Sequence, residues 1–143
     1  MKSKNKISKI IATAMVCLSV TSFGMITAEA GNYKDTWYKF EYNGDGGDRF
    51  TPNRPKWDDT SSYIYNCNSN TGLKVTVYGN SVDNGSIGAM CSITPFQQVN
   101  IGQELFLDNW VKERKYTYAR LGLSPNTHSS CHLEGKWSPD SIR

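Results

Sequence analysis

The chain has 143 residues, 38% hydrophobic and 20% charged, a balance that fits one soluble domain rather than several. Its formal net charge of +3 sits at the beginning. The sixteen Lys and Arg less Lys2, Lys4, Lys6 and Lys9 leave twelve, the thirteen Asp and Glu less Glu29 leave twelve, and residues 31–143 are formally neutral. That neutrality excludes a nucleic-acid partner or a polybasic membrane contact argued from charge.

The four lysines open a pattern that continues with an apolar stretch from Ile10 to about Ile26 and small residues at Ala28 and Ala30. This is the layout of a secretory signal peptide, a helical leader over residues 1–30 cleaved between Ala30 and Gly31. A retained anchor is the weaker reading, because the stretch is about 17 residues long and carries Ser19, Thr21, Ser22 and Gly24. Lipid attachment at Cys17 is disfavoured by Val16, where a small residue is wanted. Nothing beyond the leader is long and apolar enough to span a bilayer as a helix. The expected destination is the medium or the cell wall, with residues 31–143 as one exported domain.

Short alternating runs separated by Gly/Asn/Ser/Asp clusters predict strands along that domain. The first, Thr36 to Tyr42, places Tyr38, Phe40 and Tyr42 on one face and Trp37, Lys39 and Glu41 on the other. The glycine-rich turn Asn43–Asp48 follows, and then Phe50 to Asp59, where Pro52 and Pro55 predict extended loop or sheet edge. Ser62 to Cys67 predicts a strand with Tyr63, Tyr65 and Cys67 in phase. Leu73 to Tyr78 predicts one that buries Leu73, Val75 and Val77, and Ala89 to Thr94 one that buries Ala89, Cys91 and Ile93.

A short strand is expected around Val99 and Ile101. The segment Leu105 to Lys115 reads as a helical turn or irregular crossing that buries Leu105, Phe106, Trp110 and Val111. Lys115 to Leu123 predicts a strand with Ala119, Leu121 and Leu123 in one phase and Tyr116, Tyr118 and Arg120 in the other. Ser130 to Trp137 predicts the last, with Cys131, Leu133, Gly135 and Trp137 inward. The expected fold is all-β, an antiparallel two-sheet β-sandwich of about six or seven short strands.

Cys67, Cys91 and Cys131 are the disulfide candidates in an exported chain, and an odd number predicts one bridge plus one buried thiol. Spacing leaves all three pairings open. No metal site is expected. His128 and His132 share a strand face but lie about 13 Å apart if the strand stays straight, and Asn43–Asp48 lacks the ligand spacing of a calcium-binding loop. A serine-based hydrolase would need an arrangement that singles out one serine, and no G-x-S-x-G elbow is present.

Four Trp, eight Tyr and the four Phe beyond the leader are more than a core of this size uses. Trp37, Trp57, Tyr78, Tyr116 and Tyr118 fall on outward phases or in loops, and exposed aromatics form a platform for sugar rings or for another protein. The expectation is a monomeric, non-enzymatic binding module without cofactor, whose partner is a cell-surface glycan or protein. A bacteriocin-like antimicrobial is the alternative, weakened by the neutral charge, and a small secreted hydrolase stands third.

Three further segments carry a resemblance. Gly135-Lys136-Trp137-Ser138-Pro139-Asp140-Ser141, Arg54-Pro55-Lys56, and Tyr116-Thr117-Tyr118-Ala119-Arg120-Leu121 resemble a family of small secreted proteins of Gram-positive bacteria catalogued as a domain of unknown function. The resemblance implies export and a compact β domain, and it carries over no catalytic or binding residue. In the last strand, Trp137 is expected to close the inner face, Pro139 to end pairing, and Asp140 and Ser141 to cap the turn.

Overall fold

The computed structural model describes residues 31–141; the expected leader and its cleavage point lie outside the described residues. Ten strands follow in order: β1 Thr36–Asn43, β2 Arg49–Phe50, β3 Arg54–Pro55, β4 Ser62–Tyr65, β5 Leu73–Asn80, β6 Ala89–Met90, β7 Gln97–Val99, β8 Glu104–Leu107, β9 Tyr118–Pro125 and β10 Ser130–Ser138. All pair antiparallel. One sheet has the order β1-β10-β4-β8. The other has β2-β9-β5-β6, with β3 also on β9 and β7 also on β5. Among the described residues there is no helix, and none long and apolar enough to cross a membrane. The all-β, two-sheet expectation holds, and the count rises to ten because β2, β3 and β6 are two-residue pairings too short to show alternation.

The core lies between the sheets. Tyr38, Tyr42, Ile64, Leu133 and Trp137 from the four-stranded sheet meet Leu73, Val75, Val77, Ala119, Leu121 and Leu123 from the other. Strict alternation of apolar side chains puts every second residue of β1, β5, β9 and β10 in this layer. The hydroxyl of Tyr42 crosses the core and donates to Leu123 O at 2.7 Å. Burial of that phenol pushes its pKa upward, as it does for Tyr38.

Three expectations need correction. On β4 the inward residue is Ile64, opposite Leu105, whereas Tyr63 and Tyr65 take the opposite phase and Tyr63 packs against Phe106. The run Tyr63-Ile64-Tyr65 is apolar at every position, so composition could not choose its phase; pairing with β8 and β10 does. Ala89–Thr94 pairs as a strand only at Ala89–Met90, and Ile93 is exposed. There the chain leaves β5 and turns toward β8. An isolated bridge Ser92↔Asn109, with Ile93 N donating to Asp108 O, joins the two sheets along this edge. Leu105 to Lys115 opens as β8 rather than as a helical turn. Leu107 and Val111 are buried, but Phe106 and Trp110 are exposed. The turn comes after it, where Lys115 N bonds Lys112 O and Lys115 takes a φ of 64°.

Candidate functional site

The segments Arg54-Pro55-Lys56 and Trp137-Ser138-Pro139-Asp140, far apart in sequence, meet at the end of the sandwich where β3 and β10 stop. Lys56 follows β3 and is buried. Its ammonium donates to Thr60 O at 2.5 Å, Pro139 O at 2.7 Å and Asp140 Oδ1 at 3.0 Å. Asp140 Oδ2 accepts the backbone N–H of Asn32 and that of Trp57, the latter at 3.1 Å. The side chains of the Lys56–Asp140 pair are 1% and 0% exposed, so both charges have left water completely. Burial lowers the Lys56 pKa from its ordinary value, opposed by the Asp140 carboxylate beside it.

Pro139 cannot pair onward, so the chain turns inward there. Ser62 Oγ donates to Pro139 O and Ser138 Oγ to Asp140 O. Asp140 is therefore the buried counter-charge of Lys56 rather than a turn cap. Arg54 completes the clasp. Its guanidinium stands 5.3 Å from the Trp137 ring centroid and donates to Trp137 O, Thr36 Oγ1, Asn32 Oδ1 and Lys34 O.

Over this clasp lies an open groove of about 760 Å³, lined by Pro55, Lys56, Trp57, Ser81, Lys112, Thr117 and Tyr118. Backbone bonds hold its walls together: Lys56 N to Thr117 O at 2.9 Å and Thr117 N to Asn80 O at 3.0 Å. Pro55 and Asn80 both face Tyr118 in register, one from each side of β9. The backbone bond from Trp57 N to Asp140 thus fixes the root of a tryptophan whose side chain reaches solvent, at 47% exposure. A half-buried tyrosine, a lysine and two hydroxyl residues complete the surface. Such a surface can stack against a ring and donate hydrogen bonds at its rim.

The five aromatics assigned to outward phases or loops separate into different places. Trp57 and Tyr118 share the groove. Trp37 is exposed on the outer face of β1, with Lys136 Nζ 4.9 Å from its ring centroid. Tyr78 lies on the other sheet, edge-on to Phe50 at 5.4 Å. Tyr116 precedes β9 and packs against the core beneath Gly79, where an added Cβ would come within 2.7 Å of its ring. Phase alone does not foresee this, because the alternation of β9 begins only at Tyr118. Ser81 and Lys112 carry no signal of their own in the sequence, since loop residues become neighbours only through the pairing of β3 and β5 with β9.

Cys67, Cys91 and Cys131 are free thiols. Cys91 lies against Gly79, which pairs with Ala119, whereas Cys131 pairs with Tyr42, whose hydroxyl reaches Leu123. Those levels differ by roughly 13 Å along β9. Cys67 precedes Asn68, whose N–H reaches Glu134 O, roughly 10 Å from Cys131 along β10. Neither separation suits a disulfide. Burial raises the thiol pKa of Cys91 and of Cys131.

Among the described residues no three His, Cys, Asp or Glu side chains gather as a metal site. In the Asn43–Asp48 loop Asp45 is engaged by Arg49 at 2.5 Å, and Gly46 sits against the His128 ring. His132 Nε2 is in hydrogen-bond contact with Asn68 O.

No curated protein and no solved structure matches the chain. A family model does match, over residues 26–141, a span that takes in the clasp and the groove together. The chain belongs to the family described as Protein of unknown function (DUF2712).

Proposed function

We propose that this is a non-enzymatic binding domain, exported by a Gram-positive bacterium, that holds a glycan of the cell surface in the groove between Trp57 and Tyr118. The observation that carries the reading is the pairing of an exposed, backbone-anchored tryptophan with a tyrosine, a lysine and hydroxyl residues in one groove. Aromatic faces stack on the apolar faces of sugar rings, and Lys112 favours a ring that bears a carboxylate. The residues that line the groove include no carboxylate, histidine or cysteine, which gives the hydrolase alternative nothing to work with there.

The test is a pull-down of the purified domain on cell-wall polysaccharide. Trp57→Ala and Tyr118→Ala should each weaken retention about five- to tenfold, from stacking contributions of about 1–1.4 kcal/mol. Trp37→Ala, on another face, should bind like the parent. Retention unchanged in the Trp57→Ala, Tyr118→Ala double variant would refute the assignment.

A further inference from the structure

We propose that Lys56 and Asp140 condense spontaneously in the folded domain to an amide, a covalent cross-link between the β3 and β10 ends of the sandwich.

The reactants are already in place. Lys56 Nζ and Asp140 Oδ1 are 3.0 Å apart, with side chains 1% and 0% exposed. Intramolecular pairs held in this way react with effective molarities on the order of 10⁵ M or more. The surroundings match the reaction on both sides. Thr60 O and Pro139 O accept from the nitrogen, which suits a neutral amine that keeps its two protons engaged and its lone pair directed at the third neighbour, the Asp140 carboxyl. The N–H groups of Asn32 and Trp57 both point at Asp140 Oδ2, where negative charge develops during attack. A further carboxylate stands close by. Asp58 Oδ2 is buried and without a hydrogen-bond partner among the described residues. It borders the same space beside Gly31 as Asp140, since a Cβ on Gly31 would overlap Asp58 Oδ2 and touch Asp140 Cβ at 3.4 Å.

The step balances without a co-reactant. The ammonium of Lys56 gives one proton to Asp140 Oδ1, leaving an amine and a carboxylic acid. The amine lone pair forms the N–Cγ bond, and the C=O pair moves onto Oδ2. Asp58 takes a proton from the nitrogen and delivers it to the departing oxygen. The Cγ–Oδ1 bond breaks, water leaves, and the C=O re-forms as an amide. Ammonium plus carboxylate becomes amide plus water, with no change in oxidation state. Two buried charges disappear, and with them the desolvation cost of keeping them dry.

Mass spectrometry of the purified, folded full chain decides the matter, with its N-terminus assigned from the same spectra. The expected intact mass is lighter by one water. A branched tryptic fragment that joins the Lys56 and Asp140 peptides should accompany it and survive denaturation and reduction. Lys56→Arg keeps a cation opposite Asp140 and should show its full mass. A wild-type chain at full mass, with Lys56 open to amine labelling after unfolding, would overturn the proposal. So would a water loss that persists in Lys56→Arg, since it would then come from elsewhere, such as ring closure at Asp140-Ser141.

Discussion

Lys56 and Asp140 show how much can rest on one side-chain pair. An ion pair this dry is weak evidence for stability in itself, because each charge gives up its hydration. Breaking it from one side is costly. Lys56→Met strands a carboxylate whose remaining partners are two backbone N–H groups, and a loss of about 3–5 kcal/mol is expected, read as a lower urea midpoint. Adding Asp140→Leu to Lys56→Met should recover the part of that loss that comes from the stranded carboxylate, and not the part that comes from the lost cross-link. The thiols give a second residue-scale test. Cys91 and Cys131 are buried with raised pKa values, whereas Cys67 is half-buried. Iodoacetamide at neutral pH should label Cys67 in the native protein and reach the other two only after unfolding, which peptide mapping would show. Rapid native labelling of Cys131 would contradict its place on the inner face of β10.

Elements are held by side chains that their own alternation leaves free. Arg120 has an outward phase on β9, yet it is buried because the 81–88 loop folds over it. Its Nε donates to Thr51 O at 2.8 Å, Nη1 reaches Gly85 O and Ser86 O, and the guanidinium stands 5.2 Å from the Phe50 ring centroid. Arg120→Ala should cost about 1.5–3 kcal/mol and turn the exposed 81–88 loop into the first site of limited proteolysis; an unchanged cleavage pattern would count against the anchor. Between β1 and β10, Lys39 and Asn68 hold Glu134 below the usual carboxylate range. A depressed carboxylate stabilises the fold above its unfolded pKa, and that contribution fades as pH falls through the folded one. Glu134→Gln should therefore lower the neutral-to-alkaline part of a stability–pH curve and leave its acid end in place, so that the acid limb becomes shallower.

Much of this element layer is legible in the amino-acid sequence. The clean alternation of Leu73, Val75 and Val77, and of Leu133, Gly135 and Trp137, announces inward faces that the folded chain keeps. The β4 phase is not legible, because tyrosine and isoleucine compete there on equal terms. Of the groove, Trp57 and Tyr118 stand out as surplus aromatics. Their being neighbours depends on β3 pairing with β9 through Arg54↔Ala119 and Pro55↔Tyr118, a contact across more than half the domain. The role of Asp140 is hidden for the same reason: a lone carboxylate near a proline reads as a turn until the lysine that neutralises it comes into view.

At the scale of the whole molecule, the clasp and the groove belong to one construction. The last strand ends by burying Asp140, Asp140 fixes the backbone of Trp57, and Trp57 forms a wall of the groove with Tyr118. The sheets are tied through the core by Tyr42 and along one edge by the Ser92↔Asn109 bridge. A surface assembled this way is held rigid by long-range contacts, which lowers the ordering cost of binding. The most direct measurement is a two-dimensional ¹⁵N NMR titration of the purified domain with soluble cell-wall glycan fragments, following the indole N–H signals of its four tryptophans. The Trp57 signal should shift in a saturable manner while those of Trp37, Trp110 and Trp137 stay in place. A saturable shift confined to Trp37 or Trp110, or no shift at concentrations where the domain is retained on the cell wall, would contradict glycan binding in the groove.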